Sequence, residues 1–173
     1  MNEIEVKILK IDVQDVKSKL KKLGAKKIFD GQIEPVTFDF PDARLKKAKQ
    51  LLRIRKVGNE TELCFKGKKQ QSALKIQEEI QVNTSNFEET MTILTKIGFI
   101  AHRHSPKHRE SYSLGNVRFE IDTDPPIPTY LEIEASSEEE VINAVKQLGF
   151  KMNQTSNLTG AELHEMHKSR PNI

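Results

Sequence analysis

Charged and apolar residues alternate in short runs along this chain, and the runs give way to apolar positions spaced three and four apart. Glu3-Ile4-Glu5-Val6-Lys7-Ile8 is followed by Val13, Val16, Leu20 and Leu23. Period two predicts a strand with two unlike faces, and the three-four spacing predicts a helix with one buried stripe. The plan recurs twice. Glu79-Ile80-Gln81-Val82 precedes Phe87, Met91, Leu94 and Ile97, and Leu131-Glu132-Ile133-Glu134 precedes Val141, Ile142, Val145 and Leu148. Asp12, Ser85 or Asn86, and Ser136 or Ser137 stand where each helix needs a side chain to accept its first amides. Gly24, Gly98 and Gly149 stand where each must end.

Hairpins fill the intervals. Gly58-Asn59 separates Leu51–Val57 from Glu60–Lys66, and Gly115-Asn116 separates Arg109–Leu114 from Val117–Asp124. Residues 25 to 40 read as one long strand or two, broken near Gly31 and Pro35, and 42 to 50 and 67 to 72 read as polar loops. The sum is about eight strands and three or four helices, an α+β fold in a single domain over residues 1–173.

The strand alternation carries the chemistry. Glu3, Glu5 and Lys7 share one face. So do Arg53 and Arg55; Glu62, Cys64 and Lys66; Lys75, Gln77 and Glu79; Lys107 and Arg109; Arg118, Glu120 and Asp122; and Glu132 and Glu134. One such face on an antiparallel sheet is ordinarily the solvated one. Here nearly every position in seven strands is ionisable, with both signs interspersed. Three apolar helix stripes can cover the opposite face, so curling the sheet encloses the ions. Enclosed ions are costly unless they pair or hold a ligand.

Composition narrows the ligand. The chain has 173 residues, 31% of them charged, with a formal net charge of only +3. That small balance gives no reason to expect nucleic acid as the partner. The single cysteine, Cys64, excludes an intrachain disulfide and fits a cytoplasmic setting. No apolar run is long enough for a membrane span. Cys64 reads as a small wall residue, His102, His104 and His108 as surface histidines, and the lysines from Lys19 to Lys27 as a solvated helix face.

With these elements in order, the sequence resembles the CYTH superfamily, the triphosphate tunnel metalloenzymes. That superfamily contains class IV adenylyl cyclases, thiamine triphosphatases and inorganic triphosphatases. The resemblance rests on Glu3-Ile4-Glu5-Val6-Lys7, Arg53-Ile54-Arg55, Leu63-Cys64-Phe65-Lys66-Gly67, Lys75 to Glu79, Lys107-His108-Arg109, Asp122 and Glu132-Ile133-Glu134. It implies a closed eight-stranded antiparallel β-barrel, or tunnel, with helices packed outside. It implies phosphate contacts at Lys7, Arg53, Arg55, Lys66, Lys75, Lys107, Arg109 and Arg118. It also implies Mg2+ or Mn2+ held among Glu3, Glu5, Glu79, Glu120, Asp122, Glu132 and Glu134. Glu3, Glu5, Lys7 and Arg55 are then the residues closest to the chemistry.

The substrate implied is a small triphosphate: inorganic triphosphate, thiamine triphosphate or ATP. Hydrolysis is the first expectation. Conversion of ATP to cyclic AMP and pyrophosphate is the alternative, and a non-catalytic polyphosphate- or nucleotide-binding module is the other class. Homodimerisation stays open. The chain departs from the family in two places. Thr159-Gly160-Ala161-Glu162-Leu163 lacks the tyrosine of the C-terminal Ser-Tyr pair, and Pro125-Pro126-Ile127-Pro128-Thr129 replaces Leu-Gly before the last strand.

Overall fold

A computed structural model describes residues 2–104 and 106–168. The first strand, β1 (Asn2–Leu9), leads into α1 (Val13–Lys22), whose first amides at Gln14 and Asp15 are accepted by the Asp12 carboxylate. β2 (Lys26–Ile33) and β3 (Val36–Asp39) follow, interrupted at Glu34-Pro35, where proline has no N–H to offer a ladder. A short α2 (Arg44–Lys47), β4 (Leu51–Val57), β5 (Glu60–Lys66) and β6 (Lys75–Thr84) come next. Then α3 (Phe87–Lys96) is capped by Asn86. β7 (Ile100–Arg103), β8 (Lys107–Leu114), β9 (Val117–Asp124) and β10 (Ile127–Ala135) lead to α4 (Glu138–Gln147), capped by Ser137. The chain closes with a two-residue β11 (Thr155–Ser156) and α5 (Gly160–Lys168). The helices end at glycine as expected, with φ of +79° at Gly24 and +105° at Gly98, the left-handed region open to a residue without Cβ.

All sheet pairing is antiparallel, in the order β2-β8-β9-β10-β1-β6-β5-β4-β3-β7, with β11 added to β1. This differs from the expected closed eight-stranded barrel. Ten strands follow one path and its two ends are not joined by a ladder. The peptide itself spans the gap, because β2 at one end of the path runs straight on into β3 beside β4 at the other. Cα atoms of β2 and β4 approach within 8 Å without pairing. Phe29 of β2 lies against the β4–β5 turn, 4.0 Å from where a Cβ on Gly58 would stand.

The apolar face lies outside and is covered in patches. Val16 and Leu20 of α1 and Val141, Val145 and Leu148 of α4 are buried against Val6, Phe119, Leu131 and Ile133. Phe87 and Leu94 of α3 cover Val36, Phe38 and Ile54. Leu163 of α5 is fully buried with Ile127 and Tyr130. Each fully buried aliphatic side chain contributes roughly 1.5–3 kcal/mol, and this outer burial pays for an interior that is ionic.

Candidate functional site

The charged face encloses a cavity of about 2230 Å³. Every residue singled out above lines it except Glu120 and Asp122, which lie buried behind it. Strand parity achieves this: Glu5, Lys7, Lys75 and Arg109 are all buried although they are ionisable. β1 sits centrally between β10 and β6, pairing Glu5 with Glu134 and Lys75, and Lys7 with Glu132.

Cations and carboxylates alternate around the lumen. Lys7 Nζ contacts Glu5 and lies 2.9 Å from Glu132 Oε2. Burial works against the Lys7 cation, yet Glu132 and Glu5 outweigh it and hold the proton on. Lys75 lies 3.1 Å from both Glu3 and Glu5. Lys66 donates to Glu3 at 2.6 and 2.8 Å and pairs with Glu79 at 2.8 Å. Burial raises the Glu3 carboxyl, but Lys66 and Lys75 more than reverse it. On Glu5 burial and the neighbouring Glu132 prevail over Lys7, and its proton affinity rises.

Behind the lining, Asp122 accepts from Arg109 at 2.6 Å through Nε and again through Nη2, from Lys107, and from Tyr130 Oη at 3.0 Å. Burial alone would raise this carboxyl, but Arg109 and Lys107 drive it far below the usual range. Glu120 takes the Ser111 hydroxyl and stands 3.7 Å from Arg109. Arg55 is engaged by Glu62 of the neighbouring strand. Arg118 is half-exposed at the rim, 3.8 Å from Glu120.

Two positions lack such satisfaction. Arg53 Nε is buried with no hydrogen-bond partner. Glu134 is drawn by burial, then by Glu3 and Glu132, up to a pKa of about 7. Among the described residues, one group of carboxylates has oxygens all within 4.8 Å of one another: Glu3, Glu132 and Glu134. An all-oxygen donor set with excess negative charge suits a hard divalent cation.

Tyr130, Ser111 and Gln77 join this network without having been singled out. Gln77 donates its amide to the carbonyl of Gly67. Tyr130 lies two residues before Glu132, and Ser111 two after Arg109, so strand parity was the available signal. The mouth near α5 is built from His164, paired with Asp124 at 2.9 Å, and Glu162, paired with Lys69 at 3.0 Å. Cys64 Sγ donates to Glu79 at 3.2 Å, and burial pushes the thiol up to about 11, so it is a wall residue. The histidines are spread out: His108 bonds Asp30 and His104 bonds Thr37.

A family model described as the CYTH domain matches residues 1–167. The chain belongs to the CYTH domain family. A Methanocaldococcus jannaschii protein named as a candidate adenylate cyclase is 32% identical over 136 residues, covering 79% of this CYTH chain and 78% of that one. A solved protein from Pyrococcus horikoshii superposes with a TM-score of 0.74 at 26% identity, covering 93% and 98% of the two chains. A Hippeastrum candidate adenylyl cyclase, described as having dominant triphosphatase activity, shares the fold with a TM-score of 0.64 at 14% identity, covering 97% and 95%. Among the described residues of this CYTH chain, no helix is long and apolar enough to cross a membrane.

Proposed function

We propose that this CYTH protein is a divalent-metal-dependent triphosphatase acting on a small triphosphate within the lumen. The observation that carries this reading is the coexistence, in one cavity, of a buried arginine Nε without a partner and a carboxylate group crowded beyond what its neighbours can neutralise. A triphosphate with its cation satisfies both at once.

Arg53, Arg55, Lys66, Lys75, Lys107 and Arg109 neutralise the phosphate oxygens, with Arg118 at the rim. Lys7, held protonated between Glu5 and Glu132, is a fixed cation and not a base. Glu3, Glu132 and Glu134 hold Mg2+ or Mn2+, which supplies Lewis acidity to a phosphoryl oxygen when bound. Glu5, Glu79, Glu120 and Asp122 complete the acidic set. In the conformation described, each is engaged by a cation or a donor and orients that group. Walls of this kind fix the substrate and replace its hydration shell with preorganised charge, which is the main device of phosphoryl transfer.

A second reading is cyclisation of ATP, favoured by the name of the 32% identical relative. The same residues then grip the phosphates while the ribose 3′-hydroxyl attacks and pyrophosphate leaves. One experiment separates the readings. Inorganic triphosphate, thiamine triphosphate and ATP are each incubated with either metal, and the products are resolved. Orthophosphate release abolished by Glu5→Gln supports the triphosphatase. Cyclic AMP with pyrophosphate supports the cyclase, and binding without turnover of any of the three leaves only an anion-binding module.

A further inference from the structure

The exposed large aliphatic side chains of this chain concentrate on one flank. Ile80 and Val82 on β6 are 54% and 53% exposed, and Ile93 and Ile97 on α3 are 61% and 64% exposed. The ladder sets Val82 opposite Leu63 and Ile80 opposite Phe65, so the β6 side chains prolong the apolar outer face of β5. α3 covers only part of that face. Its inner stripe of Phe87, Met91 and Leu94 packs over β3 and β4, with Leu63 at the margin.

Helix geometry decides which way the uncovered side chains of α3 look. At 100° per residue, Met91 and Ile97 diverge to opposite flanks of the stripe through Leu94, and Ile93 follows Ile97. Met91 Sδ lies 3.9 Å from Arg103 of β7. In the sheet order β7 lies on one side of β4, and β5 and β6 on the other. Ile93 and Ile97 therefore border the β5–β6 side, and the four exposed aliphatic residues line one apolar strip.

The charges along the strip are self-complementary. Glu89 and Lys96, both exposed, fall on the outer edge of the same helical flank, four residues before Ile93 and three after it. Two α3 helices crossing antiparallel about a twofold axis through Ile93 bring Lys96 of each copy against Glu89 of the other. This is the condition for an isologous contact, in which one patch is its own partner.

We propose that this flank of α3 and β6 is the face on which a second copy of the chain docks. At the exposures above, its four aliphatic residues present on the order of 400 Å², about half of the roughly 800 Å² per partner that a standard interface buries. Leu63, Phe65 and the polar edge of α3 supply surface for the remainder. The axis lies on the outer wall, so the lumen stays open in the dimer. The proposal is independent of the catalytic reading.

Sedimentation equilibrium of the full chain tests it. The native chain is expected at twice its 19.8 kDa mass. Ile93→Glu combined with Ile97→Glu is expected to sediment as a single copy with an unchanged circular dichroism spectrum, since both side chains are exposed. Glu89→Lys alone and Lys96→Glu alone each place like charges across the axis and weaken association by roughly tenfold or more. The double reversal restores opposite charges and returns association to within about threefold of native. A native chain that stays single up to about 100 μM overturns the proposal. So does a double reversal that associates no better than either single one.

Discussion

Asp122 and Glu134 lie on neighbouring strands of one sheet, both directed inward by the same alternation, and their carboxyl groups behave in opposite ways. Asp122 is encircled by Arg109, Lys107 and Tyr130 and is held deprotonated far below the ordinary range. Glu134 has Glu3 and Glu132 for neighbours and holds its proton up to about pH 7. Burial opposes charge at both positions, so the partners decide the outcome. Asp122 spends its charge on the fold. Glu134 carries charge that the fold does not neutralise, and the same division separates Arg55, paired with Glu62, from Arg53, whose Nε is unmet.

The strongest break of this comparison is Asp122→Asn. It strands Arg109 and Lys107 in a buried setting, and a stability loss of about 3–5 kcal/mol is expected in denaturant titrations. A loss under about 1 kcal/mol would show that the cations find other partners.

Glu134→Gln is expected to do the reverse, lowering metal-dependent turnover by roughly a hundredfold or more while sparing stability. Its pH signature has a definite sign. The folded pKa of about 7 exceeds the ordinary 4.5, so in chelator Glu134 favours the fold below pH 4.5. That contribution is lost as pH rises from 4.5 to 7, and amounts to on the order of 3 kcal/mol at most. Melting temperatures in chelator across that window should fall more steeply for the native chain than for the glutamine variant. Equal slopes would remove the assigned crowding.

Arg53→Ala sharpens the comparison on the cationic side. Losing one charge-assisted contact to phosphate should raise KM roughly 10- to 100-fold, with little change in melting temperature. Arg55→Ala should cost both binding and stability, because it also abandons Glu62. The smallest effect is expected at the rim, where Lys69→Ala removes a half-exposed pair with Glu162 and should cost less than about 1 kcal/mol.

Much of this arrangement was legible beforehand because strand and helix periods are local properties. The caps at Asp12, Asn86 and Ser137, the glycine stops and the inward rows all follow from residues a few positions apart. What escaped was set by distant contacts. The number of ladder strands depends on how β3 recruits β7, which no local pattern states. The loop after β3 read as merely polar. It is in fact built on Asp39, whose carboxylate accepts the amides of Phe40, Leu45 and Lys46 and creates the short α2. Alternation marked Asp122 and Glu134 alike as acidic and inward. Which of them is neutralised depends on Lys107 and Arg109 from another strand, so the sequence pattern could not rank them.

The junction of β2 with β4 has a mechanical meaning. Everywhere else around the lumen, widening it would break rungs of a ladder. At this one seam the flanks are joined by the peptide through Glu34-Pro35 and by the ring of Phe29. The girth of the chamber is thus adjustable along a single line, and a bulkier guest is accommodated there by parting two strands that were never stitched.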